Sequence, residues 1–133
     1  MAVARIEHVN LTVRNPERSA ALMERLFGWQ VRWQGPAMAG GRTVHVGTEA
    51  QYLALYAGQD AATYTDDRFA KSQPFNHVAV EVDDLDALEA RVTEAGLTPF
   101  NHGDYEPGRR FYFFDADGIE FEVVSYADAE ARS

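Results

Sequence analysis

Two stretches of the chain alternate apolar and polar positions in nearly the same way, and each carries a histidine near its start. The first covers residues 5–13 with His8, and the second covers residues 76–82 with His77. Side chains of a β-strand point alternately to opposite faces of the sheet. The pattern therefore predicts two strands that each bury one face and turn a histidine to the other.

After each of these strands the apolar positions follow the period of a helix. A helix is predicted for residues 16–27, with Asn15 as its N-cap and Gly28 just after its last residue. A second helix is predicted for residues 84–95, ending at Gly96. The apolar stripe of each helix suits packing on the apolar face of the preceding strand.

Three further strands are predicted after each helix. They cover residues 30–33, 42–47 and 52–57 in the first half, and residues 97–100, 110–114 and 119–126 in the second half. Loops are predicted at 36–41 and 101–108, a linker at 59–74, a turn at 115–118 and a tail at 127–133. The order β-α-β-β-β thus occurs twice, in a first module of residues 4–58 and a second of residues 75–126.

The two modules read as an internal duplication within one domain, residues 1–133. Gly28 matches Gly96 and Arg42 matches Arg110, both 68 residues apart, while the two histidines are 69 apart. A module this short cannot bury both faces of its sheet, so we expect the modules to pair, within one chain or between two. The predicted fold class is α+β, with two βαβββ modules paired into a cup-shaped mixed sheet.

Composition narrows the range of partners. The chain has 133 residues, 46% of them apolar, and a formal net charge of −9. This charge argues against nucleic-acid and membrane partners, since no basic run offsets the repulsion. The absence of cysteine excludes disulfides and thiol catalysis. No apolar run is long enough for a membrane span, so a cytoplasmic location is the expectation.

A carboxylate completes a candidate metal site. In strand 119–126 the apolar side chains alternate with acidic ones, which places Glu122 on the face that His8 and His77 occupy in their own strands. Two imidazoles and one carboxylate suit a borderline divalent metal and leave coordination positions open for water or substrate. The alternative is that each residue is an ordinary polar side chain on a half-exposed strand.

Four segments occur in a characteristic order along the chain: residues 6–13 (IEHVNLTV), 26–29 (LFGW), 76–80 (NHVAV) and 108–122 (GRRFYFFDADGIEFE). With these segments in this order, the chain resembles the vicinal oxygen chelate superfamily. That superfamily includes glyoxalase I, extradiol dioxygenases, fosfomycin-resistance enzymes, methylmalonyl-CoA epimerase and bleomycin-binding proteins. The resemblance covers residues 4–126 and implies metal ligands at His8, His77 and Glu122, a Zn, Ni, Mn or Fe ion, and a homodimer.

Some positions depart from particular members of the superfamily. Ala54 stands where glyoxalase I has a fourth, glutamate ligand, which counts against that enzyme and against the epimerase. A metal site with three protein ligands resembles the sites of the fosfomycin-resistance enzymes and the dioxygenases. However, the loop 100–108 has no lysine for a phosphonate, Asn10 replaces an expected threonine, and most extradiol enzymes are longer. Bleomycin-binding members usually lack the ligands that this chain retains.

Four residues are candidates for substrate binding: Tyr52, Tyr56, Arg110 and Tyr112. The tyrosines lie at positions that face the expected cup, where Ala54 would leave room for a ligand. An arginine can hold an anionic group with two hydrogen bonds. Alternatively, the tyrosines pack within the wall of the expected cup, and the arginine lies at the solvated surface.

Two other histidines have less defined roles. His45 aligns with Phe113 when the repeat is counted at 68 residues, which favours a structural or surface role, and an acid/base role in the cup is the alternative. His102 precedes Gly103 in a predicted loop, and we expect it to be exposed, with a role at the mouth of the cup as the alternative. No catalytic base or nucleophile is identified from the sequence.

The resulting prediction is a metal-dependent, glyoxalase-like enzyme, a lyase, transferase or dioxygenase. Its metal would act as a Lewis acid on an oxygen-rich small molecule whose identity the sequence leaves open. A non-catalytic, bleomycin-resistance-like protein that sequesters an aromatic drug among Trp33, Tyr52 and Tyr56 is the alternative. An extradiol-type dioxygenase is a second alternative.

Overall fold

A computed structural model of the protein describes residues 6–37, 40–59, 75–105 and 108–126. These residues form two compact units, called unit 1 (residues 6–59) and unit 2 (residues 75–126). The predicted linker from residue 60 onward and the predicted tail at 127–133 lie outside the described residues. Each unit is one mixed four-stranded sheet with one helix.

Unit 1 has the strand order β1-β4-β3-β2. Its first strand pairs in parallel with β4, and the other pairs are antiparallel. Its elements are β1 (His8–Thr12), α1 (Pro16–Phe27), β2 (Gln30–Pro36), β3 (Arg42–Gly47) and β4 (Tyr52–Ala57).

Unit 2 repeats this arrangement, with the strand order β5-β8-β7-β6. Again the first strand pairs in parallel with the last, and the remaining pairs are antiparallel. Its elements are β5 (Val78–Glu81), α2 (Leu85–Glu94), β6 (Phe100–Tyr105), β7 (Gly108–Phe114) and β8 (Glu120–Ser125). The predicted α+β class with two βαβββ modules is confirmed.

The local signals at the helix ends act as the sequence predicts. Asn15 accepts a hydrogen bond from the backbone N–H of Arg18 at 3.0 Å, and Asp84 does the same for Ala87 at 3.0 Å. The left-handed region, which favours glycine, is reached at Gly28 with φ 72°. Both helices therefore begin at a side-chain cap.

One strand was wrongly predicted. The sequence indicates a strand at 97–100 and a loop at 101–108, whereas β6 runs from Phe100 to Tyr105. The segment is polar and does not alternate, and its pairing with β7 is interrupted between Phe100 and Gly103. As the edge strand of its sheet, β6 is held by backbone hydrogen bonds to one neighbour, which need no apolar face.

Each sheet buries the face on which its helix packs. In both units this face is lined by aliphatic and aromatic side chains that are almost fully buried, which is the main stabilising term for so small a unit. They are Leu11, Val13, Val44, Val46, Leu53 and Leu55 in unit 1, and Val80, Phe111, Phe113, Phe121 and Val123 in unit 2.

The opposite face of each sheet, called the site face, carries the polar candidates. The strand register places them in rows across the sheets. The site face includes His8, Thr43, His45, Tyr52, Ala54 and Tyr56 in unit 1, and His77, Arg110, Tyr112 and Glu122 in unit 2.

The strand register corrects the sequence count of the repeat. His45 pairs with Ala54 in unit 1, and Tyr112 pairs with Glu122 in unit 2. With Ala54 equivalent to Glu122, the equivalent of His45 is Tyr112, so its alignment with Phe113 was wrong. The turn between the last two strands is one residue longer in unit 2, which shifts the match by one.

The same shift changes the arginine match. Arg42 pairs with Ala57, and Arg109 pairs with Ser125, the residue equivalent to Ala57. Arg42 therefore corresponds to Arg109, and its predicted match with Arg110 was wrong. The equivalent of Arg110 is Thr43, which pairs with Tyr56 as Arg110 pairs with Val124.

No helix within the described ranges is long and apolar enough to cross a membrane. The cytoplasmic location stays a prediction.

Candidate functional site

In unit 2, two side chains converge on the carboxylate of a third. His77 lies directly before β5, Arg110 lies in β7, and Glu122 lies in β8. His77 Nε2 is 3.0 Å from Glu122 Oε1, and Arg110 Nη1 donates to Glu122 Oε2 at 3.0 Å. The side chains of Glu122 and Arg110 are only 11% and 13% exposed. Each carboxylate oxygen is thus engaged separately, and Oε1 is the one that faces the imidazole.

The ring of His77 is held from its other side as well. Its Nδ1 lies 2.7 Å from the side-chain oxygen of Asn76. Tyr112 meets the imidazole edge-on, with ring centroids 5.9 Å apart, and contacts Phe100 at 6.1 Å. The imidazole therefore has a fixed orientation with Nε2 directed at the carboxylate.

These donor atoms suit a divalent metal. If Nδ1 of His77 donates to the side-chain oxygen of Asn76, a neutral ring has its lone pair on Nε2, the nitrogen that faces Glu122. Two acceptors facing each other need a proton or a cation near them. Metal–ligand distances are about 2.0–2.2 Å for imidazole nitrogen and carboxylate oxygen, so donors 3.0 Å apart can share one ion.

In unit 1, His8 belongs to a row of rings on the site face. Its ring stacks on Tyr52 with centroids 4.9 Å apart, and Tyr52 stacks on His45 at 4.7 Å. Trp33 contacts His45 from β2 at 5.2 Å. This row, called the ring cluster (His8, Tyr52, His45 and Trp33), forms because the register aligns β1, β4, β3 and β2.

Charged groups surround the ring cluster. The guanidinium of Arg32 lies 4.3 Å from the centroid of the Tyr52 ring, a cation–π contact. Glu7 Oε1 lies 2.9 Å from His8 Nδ1, and this hydrogen bond lowers the pKa of Glu7. Burial lowers the pKa of His45, with further contributions from His8 and Arg32. His45 is therefore kept neutral to lower pH than an ordinary histidine.

The predicted metal ligands are thus distributed over the two units. His77 and Glu122 are in contact in unit 2, while His8 lies in unit 1 beside Tyr52. Within the ranges that the structure describes, no group of three or more His, Cys, Asp or Glu side chains that could hold a metal occurs. The assignment of all three residues to one metal stays a prediction.

The predicted substrate-binding residues have more specific surroundings than the sequence indicated. Tyr52 belongs to the ring cluster, Tyr112 lies beside His77, and Arg110 is bonded to Glu122. Tyr56 is half-buried on the site face, opposite Thr12. Their contact with a substrate stays a prediction. Ala54 is 2% exposed, so its small side chain opens no solvent-filled space at its own position.

His102 contacts the helix side of unit 2. Its Nε2 lies 2.9 Å from Glu89 Oε2 on α2, and its ring stacks on Phe111 at 6.0 Å. The side chain is 54% exposed, in agreement with the expectation of an exposed position. These contacts give His102 a role in joining β6 to α2.

Sequence reasoning missed the two residues that hold the histidine rings, Glu7 and Asn76. Each immediately precedes its histidine and presents a side-chain oxygen. Because the two positions are equivalent in the repeat, a comparison of the residues beside the matched histidines would have identified them.

A comparison with protein families matches residues 5–123 to the glyoxalase/bleomycin resistance protein/dioxygenase superfamily. The chain belongs to this superfamily. The match spans most of both units and confirms the predicted membership. A sequence comparison with curated proteins gives no match.

Solved structures of the superfamily share the fold. A glyoxylase/bleomycin resistance protein/dioxygenase domain from Frankia sp. EAN1pec superposes with a TM-score of 0.79 at 23% identity, covering 93% of this chain and 98% of that one. Fosfomycin resistance protein FosX from Listeria monocytogenes, complexed with Mn(II) and sulfate, gives 0.70 at 16% identity, covering 93% of each chain. The trypanothione-dependent glyoxalase I of Leishmania major gives 0.78 at 18% identity, covering 98% and 92%. The superfamily thus includes enzymes, one of them seen with a bound divalent metal.

Proposed function

We propose that the protein is a metal-dependent, glyoxalase-like enzyme in which His8, His77 and Glu122 hold a divalent ion. The observation that carries the proposal is the contact between His77 Nε2 and Glu122 Oε1 at 3.0 Å. The contact is mostly buried, and both donors are held from behind by Asn76 and Arg110. His8 is proposed as the third ligand because it occupies the repeat position of His77 and its Nδ1 is engaged in the same way.

The bound ion, one of Zn, Ni, Mn or Fe, supplies Lewis-acid polarisation of substrate oxygens. Within unit 2, Arg110 occupies Oε2 of Glu122 and keeps Oε1 directed at His77. Tyr112, beside His77, presents a phenol to a substrate, and Tyr52 and Tyr56 do so on the site face of unit 1. This arrangement suits a small molecule with several oxygen atoms.

Metal titration of the metal-free full chain tests the proposal. Isothermal titration with Zn²⁺, Ni²⁺, Mn²⁺ and Fe²⁺ in turn is expected to show one tight site per chain for at least one ion. His77→Ala, Glu122→Ala and His8→Ala should each weaken that site by more than about 100-fold, because each removes a direct ligand. His102→Ala is the matched control and should bind as the unmodified chain does. Unchanged binding in all three ligand variants would contradict the proposal.

Sequestration of an aromatic drug is the second candidate, and the ring cluster favours it. Trp33, His45 and Tyr52 present adjacent rings, and the side chain of Trp33 is 51% exposed. Planar ligands stack on such surfaces. Tight binding of bleomycin to the metal-free chain, unaffected by Glu122→Ala and lost in Trp33→Ala, would support this function instead. Oxygen uptake with a catechol and Fe²⁺ or Mn²⁺ would identify an extradiol-type dioxygenase.

We also propose that the protein is a homodimer. Exposed apolar side chains lie at or beside the first strand of each unit: Ile6 is 79% exposed, Val9 40% and Phe75 44%. Burial of such surface favours association. Light scattering on the eluting protein is expected to give twice the 14.9 kDa of one chain. A monomeric mass at micromolar concentration would contradict the assembly.

A further inference from the structure

We propose that Glu7 and Asn76 are positioning residues that determine which ring nitrogen of His8 and His77 is offered to a metal. Each accepts a hydrogen bond from Nδ1 of the histidine that follows it, which leaves Nε2 as the ligand atom. The proposal rests on the proposed metal-binding function. It adds two residues that would act on the metal ligands without contacting the metal.

The geometry is the same in both units. Glu7 Oε1 lies 2.9 Å from His8 Nδ1, and Asn76 Oδ1 lies 2.7 Å from His77 Nδ1. A carboxylate or amide oxygen has no hydrogen to give, so the hydrogen in each contact belongs to Nδ1. A neutral imidazole carries one N–H, and Nε2 is then the nitrogen with a free lone pair.

The position of the two residues at the strand starts makes these contacts possible. Within a strand, neighbouring side chains point to opposite faces and do not meet. Glu7 lies directly before β1 and Asn76 lies two residues before β5, so both contacts are made at the start of a strand and not in its interior. Glu7 is anchored in addition by Tyr52, whose backbone N–H donates to its carbonyl at 3.2 Å and whose hydroxyl lies 3.5 Å from Oε1.

The remaining histidines do not share this arrangement in the described contacts. His102 uses Nε2, not Nδ1, for its contact with Glu89. His45 meets its neighbours through ring stacking with Tyr52 and Trp33. The Nδ1 contact to the preceding residue thus distinguishes the repeat-related pair that is proposed to bind metal.

The two positioning groups differ in charge, and this predicts different effects. The carboxylate of Glu7 makes His8 a stronger electron donor than an amide would, because a charged acceptor strengthens the hydrogen bond and raises ligand basicity. Asn76→Asp should therefore tighten metal binding several-fold. Glu7→Gln should weaken it only several-fold, because an amide oxygen still accepts from Nδ1.

The first experiment measures the affinity of the metal-free full chain for Zn²⁺. Glu7→Ala and Asn76→Ala are each expected to lower the affinity about 10–100-fold, the usual effect of removing a residue behind a metal-bound histidine. Glu24→Ala removes an equal charge from the exposed face of α1 and serves as the control for Glu7→Ala. Affinities of Glu7→Ala and Asn76→Ala equal to those of the unmodified chain and of Glu24→Ala would overturn the proposal.

A second readout does not depend on activity or on metal affinity. Nitrogen-15 NMR of the imidazole rings is expected to show the hydrogen on Nδ1 of His8 in the metal-free chain at about pH 8, where an ordinary imidazole is neutral. Glu7→Ala should shift this hydrogen toward Nε2, and Glu7→Gln should preserve it. A hydrogen on Nε2 of His8 in the unmodified chain would overturn the proposal whether or not the chain binds metal.

The two experiments separate this proposal from the proposed function. If His8→Ala and His77→Ala leave Zn²⁺ affinity unchanged, the metal site itself is wrong. If those two variants abolish binding while Glu7→Ala and Asn76→Ala do not weaken it, the site stands and the positioning role is refuted.

Discussion

Glu122 and Arg110 occur together in unit 2 and are absent together from unit 1. The register makes Ala54 the equivalent of Glu122 and Thr43 the equivalent of Arg110. A mostly buried carboxylate needs a charged or hydrogen-bonding partner, whereas an alanine needs none. Arg110 thus accompanies the carboxylate that needs a partner, and among the described residues of unit 1 its equivalent lies beside no such carboxylate.

Loss of Arg110 should therefore destabilise the protein. Arg110→Met removes a partner of Glu122 and leaves, among the contacts of the described residues, the one with His77. Breaking a fully buried ion pair costs about 3–5 kcal/mol. We expect about 2 kcal/mol here by urea unfolding, because both side chains keep some exposure and His77 remains in contact.

An exposed pair in the same strand provides the matched control. Arg109 donates to Asp86 at 3.0 Å, and the Asp86 side chain is 76% exposed. Surface ion pairs contribute at most about 1 kcal/mol, so Arg109→Met should have the smaller effect. Equal losses of unfolding free energy in Arg110→Met and Arg109→Met would show that the contact with Glu122 stabilises the protein no more than the exposed pair does.

His45 should make the stability of the protein depend on pH. Its pKa is lowered, first by burial, so the unfolded chain takes up a proton at this residue more readily than the folded one. Stability is then highest above the ordinary pKa of about 6.5 and falls as the pH drops toward the lowered value. Compared with the unmodified chain, His45→Gln should show a smaller loss of unfolding free energy between about pH 7.5 and pH 5.5. A loss in His45→Gln as large as that of the unmodified chain would contradict the assignment.

At the scale of elements, an ion pair in each unit connects the first turn of the helix to the third strand in chain order, which is β3 in unit 1 and β7 in unit 2. Arg42 on β3 donates to Glu17 on α1 at 2.9 Å, and Arg109 on β7 donates to Asp86 on α2 at 3.0 Å. The arginines are equivalent by register, and the acids both lie in the first turn of their helices. The duplication thus preserved an interaction between helix and sheet as well as the strand order.

The Arg42–Glu17 pair in unit 1 gives a second prediction of pH-dependent stability, which arises from a carboxyl group and not from a histidine. The hydrogen bond from Arg42 lowers the pKa of Glu17 from its ordinary value of 4.5. The pair's contribution is present above that ordinary value and is lost as the pH falls through the lowered one. A double-mutant cycle with Arg42→Met and Glu17→Gln should give a coupling at about pH 7 that is lost once the pH is low enough to protonate Glu17 in the folded chain. A coupling that persists in acid would contradict this origin.

Elements with strong local signals could be predicted from the sequence. The hairpin strands 42–47 and 52–57 and the helix 16–27 were predicted with the bounds that the structure gives them. The helix has an Asn cap and a terminal glycine, and residues 43–46 alternate polar and apolar positions, and all of these signals act locally. The polar edge strand β6 carries no such signal, because its backbone hydrogen bonds depend on β7 and not on its own side chains.

At the scale of the whole molecule, the duplication carried the prediction of the fold. Repeated His-containing strands and repeated helix ends were sufficient for the βαβββ order and for the superfamily, which the family match confirms. The count failed by one residue in the final hairpins, because turn length is invisible to a pattern of apolar positions. Because of that error, His45 was aligned with the buried Phe113, and the repeat did not indicate that His45 lies on the site face.

The candidate site was predictable in its residue types and not in its contacts. Alternation placed His77 and Glu122 on the same face of their strands, and the structure brings them together. The hydrogen bonds of Glu7 and Asn76 were missed because alternation assigns side chains to faces and does not predict contacts between consecutive residues. The same holds for Arg110, whose partner is set by the pairing of β7 with β8.

The most direct test of the metal-binding proposal is anomalous X-ray scattering from a crystal of the full chain grown with the ion that binds most tightly in solution. We predict a single anomalous peak within about 2.3 Å of both Nε2 of His77 and Oε1 of Glu122, with Nε2 of His8 as a further ligand. An ion bound elsewhere, or no peak near the His77–Glu122 pair at saturating metal, would contradict the account.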